Sequence, residues 1–249
     1  MIITDDFVFI HYPKTGGTFV RKVVEKILRK MAKPILHKEK HGICEDIPKE
    51  YLDRPIVSCI RNPYDFKVSE FEFGWWKKLA PNSMVTPMKA NYPHFPRLSF
   101  EEFVECWDNL TPIVRRNAEI NSFTRTMGQY SQRFLKFFSH DYDDLIRKMD
   151  EEFMTKRLHT DYLYPVHFLR TNALNQDLHV FFRKLGYPSK YINVVLQHRR
   201  IYPRRWRHLF SGRRRKKGDR WKSYYSPELK RKVRISERIL FQMFPEFDV

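Results

Sequence analysis

The chain is poor in glycine, cysteine and acidic residues, and each shortage excludes something. Only 8 of 249 residues are glycine, so two adjacent ones are informative wherever they fall. Cys44, Cys59 and Cys106 are too few for a disulfide framework, and their odd number leaves one unpaired. No run approaches the ~18 apolar residues of a membrane-spanning helix. The opening residues MIITDDFVFIHY put no basic segment before their short apolar run, so no secretory signal peptide is expected there, and a reducing cytoplasm is the expected setting. With 42% hydrophobic and 31% charged residues, the composition excludes collagen-like and disulfide-scaffold classes and argues against overall disorder.

The acid shortage has a direction. Against 47 Lys+Arg stand 29 Asp+Glu, for a net charge of +18. Such a balance favours anionic ligands: nucleotide, nucleic acid, acidic polysaccharide or anionic lipid. The charge is also uneven. Residues 199–222 hold twelve Lys/Arg and one acid, Asp219, and so supply +11 of the +18.

Apolar runs and helical periodicities alternate along the chain. Phe7-Val8-Phe9-Ile10 reads as a buried strand, followed by a turn at Pro13–Thr18 and a helix whose Val20, Val23, Val24, Ile27 and Leu28 share a face. Ile56–Ile60 is a second β-branched strand, closed by Arg61-Asn62-Pro63, with a helix from Pro63. Residues 79–98 read as a loop or lid, and 100–160 as largely helical. Val166–Leu169 is a third strand, after which Asn172 is the expected cap of a helix ending before Gly186. Ser226-Pro227 starts a last helix carrying Val233, Ile239, Leu240, Met243 and Phe244. Strand–helix alternation predicts right-handed βαβ units: an α/β fold with a central parallel sheet flanked by helices. With no internal repeat and a basic stretch that reads as a loop, residues 1–249 are expected to form a single domain.

The adjacent Gly16-Gly17 fall at the first strand-to-helix turn. Successive backbone N–H groups and the positive end of a helix make an anion site there. Lys14 adds a full charge, and Thr15 and Thr18 add hydroxyls. The alternative is a turn that simply needs glycine. The order differs from the Walker A loop, in which Lys follows the glycines and a hydroxyl binds Mg²⁺. A phosphate is expected here, and a Mg²⁺-bound nucleoside triphosphate is not.

At these residues the sequence resembles the sulfotransferases that use 3′-phosphoadenosine 5′-phosphosulfate (PAPS). His11-Tyr12-Pro13-Lys14-Thr15-Gly16-Gly17-Thr18 is similar to their 5′-phosphosulfate loop. Arg61-Asn62-Pro63-Tyr64-Asp65, with Ser69 eight residues after Arg61, resembles their 3′-phosphate motif. Weaker echoes are Leu169–Leu174 with Asp177, Lys216-Lys217-Gly218-Asp219, and Tyr224–Leu229. The family often has Arg where this chain has Phe66, which is free to pack instead.

The resemblance implies a P-loop-like sulfotransferase fold and transfer of a sulfuryl group from PAPS to an acceptor hydroxyl or amine, the expected acceptor being a carbohydrate or other small or acidic glycan, with 3′,5′-bisphosphate (PAP) leaving. It puts Lys14, Thr15, Gly16, Gly17, Thr18 and Phe19 on the 5′ end of the nucleotide, and Arg61 and Ser69 on its 3′-phosphate. Lys216, Lys217 and Gly218 would cover the nucleotide. Lys14 would donate to the bridging oxygen of the leaving group. The general base is assigned to His41 first and His37 second, with Glu39 and Glu45 behind them, and His11 is read as structural.

The residues agree with that assignment. PAPS carries charge at two ends and so needs two anion sites, and Arg61 can bind phosphate through a planar fork. The rest of the basic stretch, with Trp206 and Trp221 interleaved, suits an anionic acceptor or a solvated loop. No Cys/His cluster has zinc-ligand spacing, so no metal is expected. Two other classes remain in view: a nucleic-acid-binding protein, which leaves the glycine turn unexplained, and a nucleotide kinase, which would want a Mg²⁺ carboxylate where Arg61-Asn62-Pro63 stands.

Overall fold

The structure, a computed structural model, describes residues 1–40, 42–79, 82–114, 121–197 and 220–248. The described residues pack as two compact units, each assembled from several stretches of chain. The first contains residues 1–40, 42–61, 137–140 and 163–197; the second contains 62–79, 82–114, 121–136, 141–162 and 220–248. No single cut of the chain separates them.

The first unit is built on a five-stranded sheet: β1 (Ile2–Ile3), β2 (Val8–Ile10), β3 (His37–Lys38), β4 (Ile56–Ile60) and β5 (Val166–Arg170), in the order β3-β1-β2-β4-β5. The β2, β4 and β5 strands are parallel and in register, with Phe9 opposite Val57 and Val57 opposite His167. All of β2 and β4 is buried, as their continuous apolar runs require.

The expected central parallel strands are present, and the sheet extends beyond them into an antiparallel edge that the sequence reading did not include. β1 runs antiparallel to both β2 and β3. Two residues give no periodicity to read, and a side-chain contact makes this hairpin. The Thr4 hydroxyl donates to the Phe7 carbonyl at 2.8 Å, and the Phe7 N–H donates back to that hydroxyl at 3.0 Å. The chain therefore folds back after Thr4 without a glycine.

Helix α1 (Gly17–Lys30) covers the sheet with Phe19, Val20, Val23, Val24, Ile27 and Leu28. The helix Leu174–Lys184 adds Leu178, Phe181 and Phe182 to the same core, where Phe7 meets Phe181 edge-on at 5.5 Å.

The second unit is helical. It includes α2 (Pro63–Phe73) and the helices Phe100–Val114, Pro227–Ser236 and Arg238–Met243. Residues 79–98, expected as loop, contain the helix Asn82–Asn91. The last helix is not continuous. It breaks at Glu237, a fully buried carboxylate that lies 3.0 Å from the Lys67 ammonium and accepts from the Ser131 N–H and hydroxyl, both at 2.7 Å. Asp108 holds the same ammonium at 2.7 Å. Burial alone would lower the Lys67 pKa, but these two carboxylates outweigh it and raise it. Phe66 stacks on Tyr130 at 3.6 Å, so the position where the family often has Arg serves packing.

Candidate functional site

The parallel strands of the first unit end together: β2 runs into His11, β4 into Arg61 and β5 into Thr171. Ligand sites of open α/β sheets gather at such carboxyl ends.

The turn after β2 holds two left-handed residues. Lys14 has φ 65° and Gly16 has φ 99°. Left-handed backbone costs a non-glycine residue about 1–2 kcal/mol, and such strain concentrates at functional sites. Gly16 is required by its positive φ and Gly17 by close approach. A Cβ on Gly16 would lie 2.8 Å from Leu174 Cδ2, and one on Gly17 would lie 2.2 Å from the His11 ring. Helix α1 starts from Gly16 with no side-chain cap and no acid in its first turn. Its positive end is therefore compensated by none of the usual devices. A Lys at the mouth of that end is the chemistry of an anion site.

Three contacts hold the turn. Thr15 is fully buried, and its hydroxyl donates to the Tyr12 carbonyl at 2.8 Å. Expected as a hydroxyl donor to the ligand, Thr15 has that proton engaged inside the turn, which leaves its main chain for an anion. Arg61, 8% exposed, donates from Nη1 to the Lys14 carbonyl at 3.1 Å. The structure thus brings together Arg61 and Lys14, the first residues of the two motifs to carry charge. Finally, the Thr171 hydroxyl lies 2.7 Å from the Thr15 carbonyl and 2.8 Å from the Ile60 carbonyl. Thr171 falls within the weaker echo Leu169–Leu174, which implies no role for it. The available signal was its place directly after a strand.

At the end of β5, Asn172 is not the helix cap. The helix Leu174–Lys184 starts from Ala173 without a side-chain cap. Asp177, in the first turn, instead ties the helix to the end of β5, accepting from the Arg170 main-chain N–H at 2.8 Å and from Nε and Nη2 of its guanidinium at 2.9 and 2.8 Å. Burial would raise the Asp177 carboxyl, but the hydrogen bonds and charge of Arg170 outweigh it and hold it below its usual value.

The other site residues fall in different places. Thr18 and Phe19 lie in the first turn of α1, Phe19 being part of the core. Ser69 is buried in α2, within the second unit. His37 is exposed in edge strand β3, opposite Ile3, which is in turn opposite Val8; its Nε2 lies 3.9 Å from Glu39. It therefore sits two strands over from β2, and not at its carboxyl end. His41, Lys216, Lys217, Gly218 and Trp206 lie outside the described residues. Trp221, expected on a groove, is buried and stacked on Tyr64 at 5.0 Å, with Tyr225 donating to the Tyr64 carbonyl. Among the described residues no group of three or more His, Cys, Asp and Glu could hold a metal ion. No described helix is long and apolar enough to cross a membrane.

No protein-family model matches the chain, and no curated protein matches it. Among solved structures it is similar to the crystal structure of mouse sulfotransferase SULT7A1 complexed with PAP. The identity is 16%, the match covers 98% of this chain and 83% of that one, and the TM-score is 0.43. A likeness of that size leaves any functional reading to the residues themselves.

Proposed function

We propose that this protein is a PAPS-dependent sulfotransferase, transferring a sulfuryl group to a hydroxyl or amine of an acceptor of the acidic-glycan class. The observation that carries the reading is the uncapped amino end of α1, with Lys14 and Gly16 in left-handed turns before it and Arg61 against the Lys14 carbonyl. This is a cradle for a phosphate-like group, placed where the sequence carries the resemblance. The residues fit such a group: main-chain donors, one ammonium and one guanidinium, with no carboxylate in the first turn of the helix.

PAPS supplies a sulfuryl group on a good leaving group, so the protein's share is positioning and charge stabilisation. Lys14 neutralises the charge that grows on the leaving oxygen. Residues 15–18 hold the 5′ end through main-chain N–H groups, with Phe19 packed behind them. Arg61 binds the 3′-phosphate, with Ser69 assigned beside it on sequence spacing. Lys216, Lys217 and Gly218 are assigned to cover the nucleotide, again on sequence. The base that takes the acceptor proton is assigned to His41, then His37, since a neutral imidazole suits that step near neutral pH.

The test combines thermal shift and labelled-sulfate transfer on the protein and its His41→Ala variant. Adenosine 3′,5′-bisphosphate should stabilise both proteins more than adenosine 5′-monophosphate does, because a ligand that binds only the folded state stabilises it by mass action. Only the parent should transfer label to acidic glycans, with activity rising through an apparent pKa of about 6–7. Equal shifts from the two nucleotides would remove the 3′-phosphate assignment. No transfer of labelled sulfate, with Mg²⁺-dependent phosphoryl transfer from a nucleoside triphosphate, would point to a kinase instead.

A further inference from the structure

The turn between β2 and α1 is held from behind by groups on two other strand ends. The Lys14 carbonyl accepts from Arg61 Nη1, which follows β4. The Thr15 carbonyl accepts from the Thr171 hydroxyl, which follows β5. The same hydroxyl lies 2.8 Å from the Ile60 carbonyl, and the Thr171 N–H donates to that carbonyl at 2.9 Å. Thr171 is thus fixed to the end of β4 through its main chain and ties the turn to it through its side chain.

A trans peptide is planar, with its C=O and N–H pointing in opposite directions. Pinning the Lys14 carbonyl therefore aims the Thr15 N–H the other way. Pinning the Thr15 carbonyl does the same for the Gly16 N–H. These are two successive amides immediately before the uncapped end of α1. Successive main-chain N–H groups turned to one side form an anion-binding nest.

We infer that Thr171 is a positioning residue for the anion site: its hydroxyl orients the Thr15–Gly16 peptide so that the Gly16 N–H faces the ligand, alongside the Thr15 N–H that Arg61 orients. The inference rests on the proposed reading of this turn as the site for the 5′ end of the nucleotide. It adds a residue from the third strand to that site, and it gives Arg61 a second task, since the guanidinium that binds one phosphate also orients the donors for the other. Thr171 touches no reacting atom. Its effect is on how well two donors are aimed before the ligand arrives, which is the form preorganisation takes in such sites.

The experiment compares the full chain with Thr171→Val, which keeps the shape and removes the hydroxyl, and Thr171→Ser, which keeps the hydroxyl. The probes are inorganic pyrophosphate, adenosine 5′-monophosphate and adenosine 3′,5′-bisphosphate, titrated by calorimetry. Main-chain amide shifts of Thr15 and Gly16 are followed by NMR. Thr171→Val should weaken all three probes by about tenfold, the scale of one well-aimed hydrogen bond. Thr171→Ser should bind within about twofold of the parent. In the parent and the Ser variant pyrophosphate should shift the Gly16 amide strongly, and in the Val variant it should not. A purely structural threonine would lower the melting temperature of the ligand-free protein without separating Val from Ser in the Gly16 signal. Unchanged probe affinities in Thr171→Val, or a Gly16 amide that ignores pyrophosphate in the parent, would overturn the inference. If the parent binds pyrophosphate through Thr15 and Gly16 but prefers neither adenosine nucleotide, the nucleotide reading fails while the role of Thr171 stands.

Discussion

At the scale of single residues, Lys14 carries the heaviest assignment. Its backbone is held left-handed, and Arg61 holds its carbonyl, so the side chain leaves the turn from a fixed base. If its ammonium stabilises charge on the leaving oxygen, that contact strengthens as the bond breaks, and only such interactions raise the rate. Lys14→Ala should therefore lower turnover by on the order of 10²–10³-fold while weakening bisphosphate binding much less. Steady-state kinetics beside calorimetry with the bisphosphate would check this. Normal turnover with poor affinity would reduce Lys14 to a binding residue. The pair Gly16-Gly17 stood out in the sequence because glycine is scarce in this chain, while Lys14 and Arg61, two of 47 basic residues, stood out only by their places beside it and after the second strand. The hydroxyl of Thr15 was not, because one threonine can face a ligand or close a turn, and only the position of the Tyr12 carbonyl decides between them.

Among the elements, β2, β4 and β5 were legible from short, mostly apolar runs, α1 from an apolar face, and α2 from the proline that starts it. Where the reading differed, the deciding feature left no mark in the periodicity. The hairpin of β1 depends on the Thr4 hydroxyl, the helix Leu174–Lys184 starts without the expected Asn172 cap, and the last helix breaks where Glu237 turns in to Lys67 and Ser131. The start of α1 offers a direct test of close approach. Gly17→Ala places a Cβ 2.2 Å from His11 Cδ2 and 2.8 Å from its Nε2, while the His11 ring stacks near Phe9 at 6.2 Å. The substitution should destabilise the protein by about 1–3 kcal/mol, as overpacking does. Adding His11→Ala should recover part of that loss, because contacting residues couple. Urea unfolding of the two single variants and the double variant measures the coupling, and strict additivity would mean the ring moves aside freely.

For the molecule as a whole, acid is the sensitive condition. His159, in the 3-10 turn Leu158–Tyr162, is fully buried, and neither ring nitrogen has a hydrogen-bond partner among the described residues. Burial, then the charge of Arg157, lowers its pKa to about 4. The unfolded chain, with a histidine pKa near about 6.5, takes up this proton before the folded one does. Stability is therefore complete above about pH 6.5 and falls as pH drops toward about 4, by on the order of 3 kcal/mol from this residue. Asp177 and Asp6 act in the same direction further into acid. For Asp6, burial would raise the carboxyl, but hydrogen bonds from Lys33 and Tyr187 outweigh it and hold it low. Urea unfolding at about pH 7 and about pH 5 should show the loss, and His159→Leu should reduce it. The net charge of +18 adds repulsion in acid, but salt screens that part and leaves the buried histidine's contribution. A loss that salt abolishes entirely would assign acid sensitivity to the charge instead.

The sequence by itself determined the α/β class, the three parallel strands with their following helices, and the glycine turn that carries the proposed anion site. Those features follow from local periodicity and from residue types whose backbone freedom or charge is unusual. Only the tertiary structure decided the direction of β1 and β3, the burial of Trp221 against Tyr64, and the bracing of the turn by Arg61 and Thr171. For the bracing of the turn the deciding partners lie far along the chain: Thr171 is 156 residues from Thr15 and Arg61 is 47 from Lys14, whereas the β1 hairpin turns on Thr4 and Phe7, three residues apart. A hydroxyl or guanidinium carries no mark in the sequence of which carbonyl it will meet. That is fixed only when packing of the apolar faces brings the strand ends together.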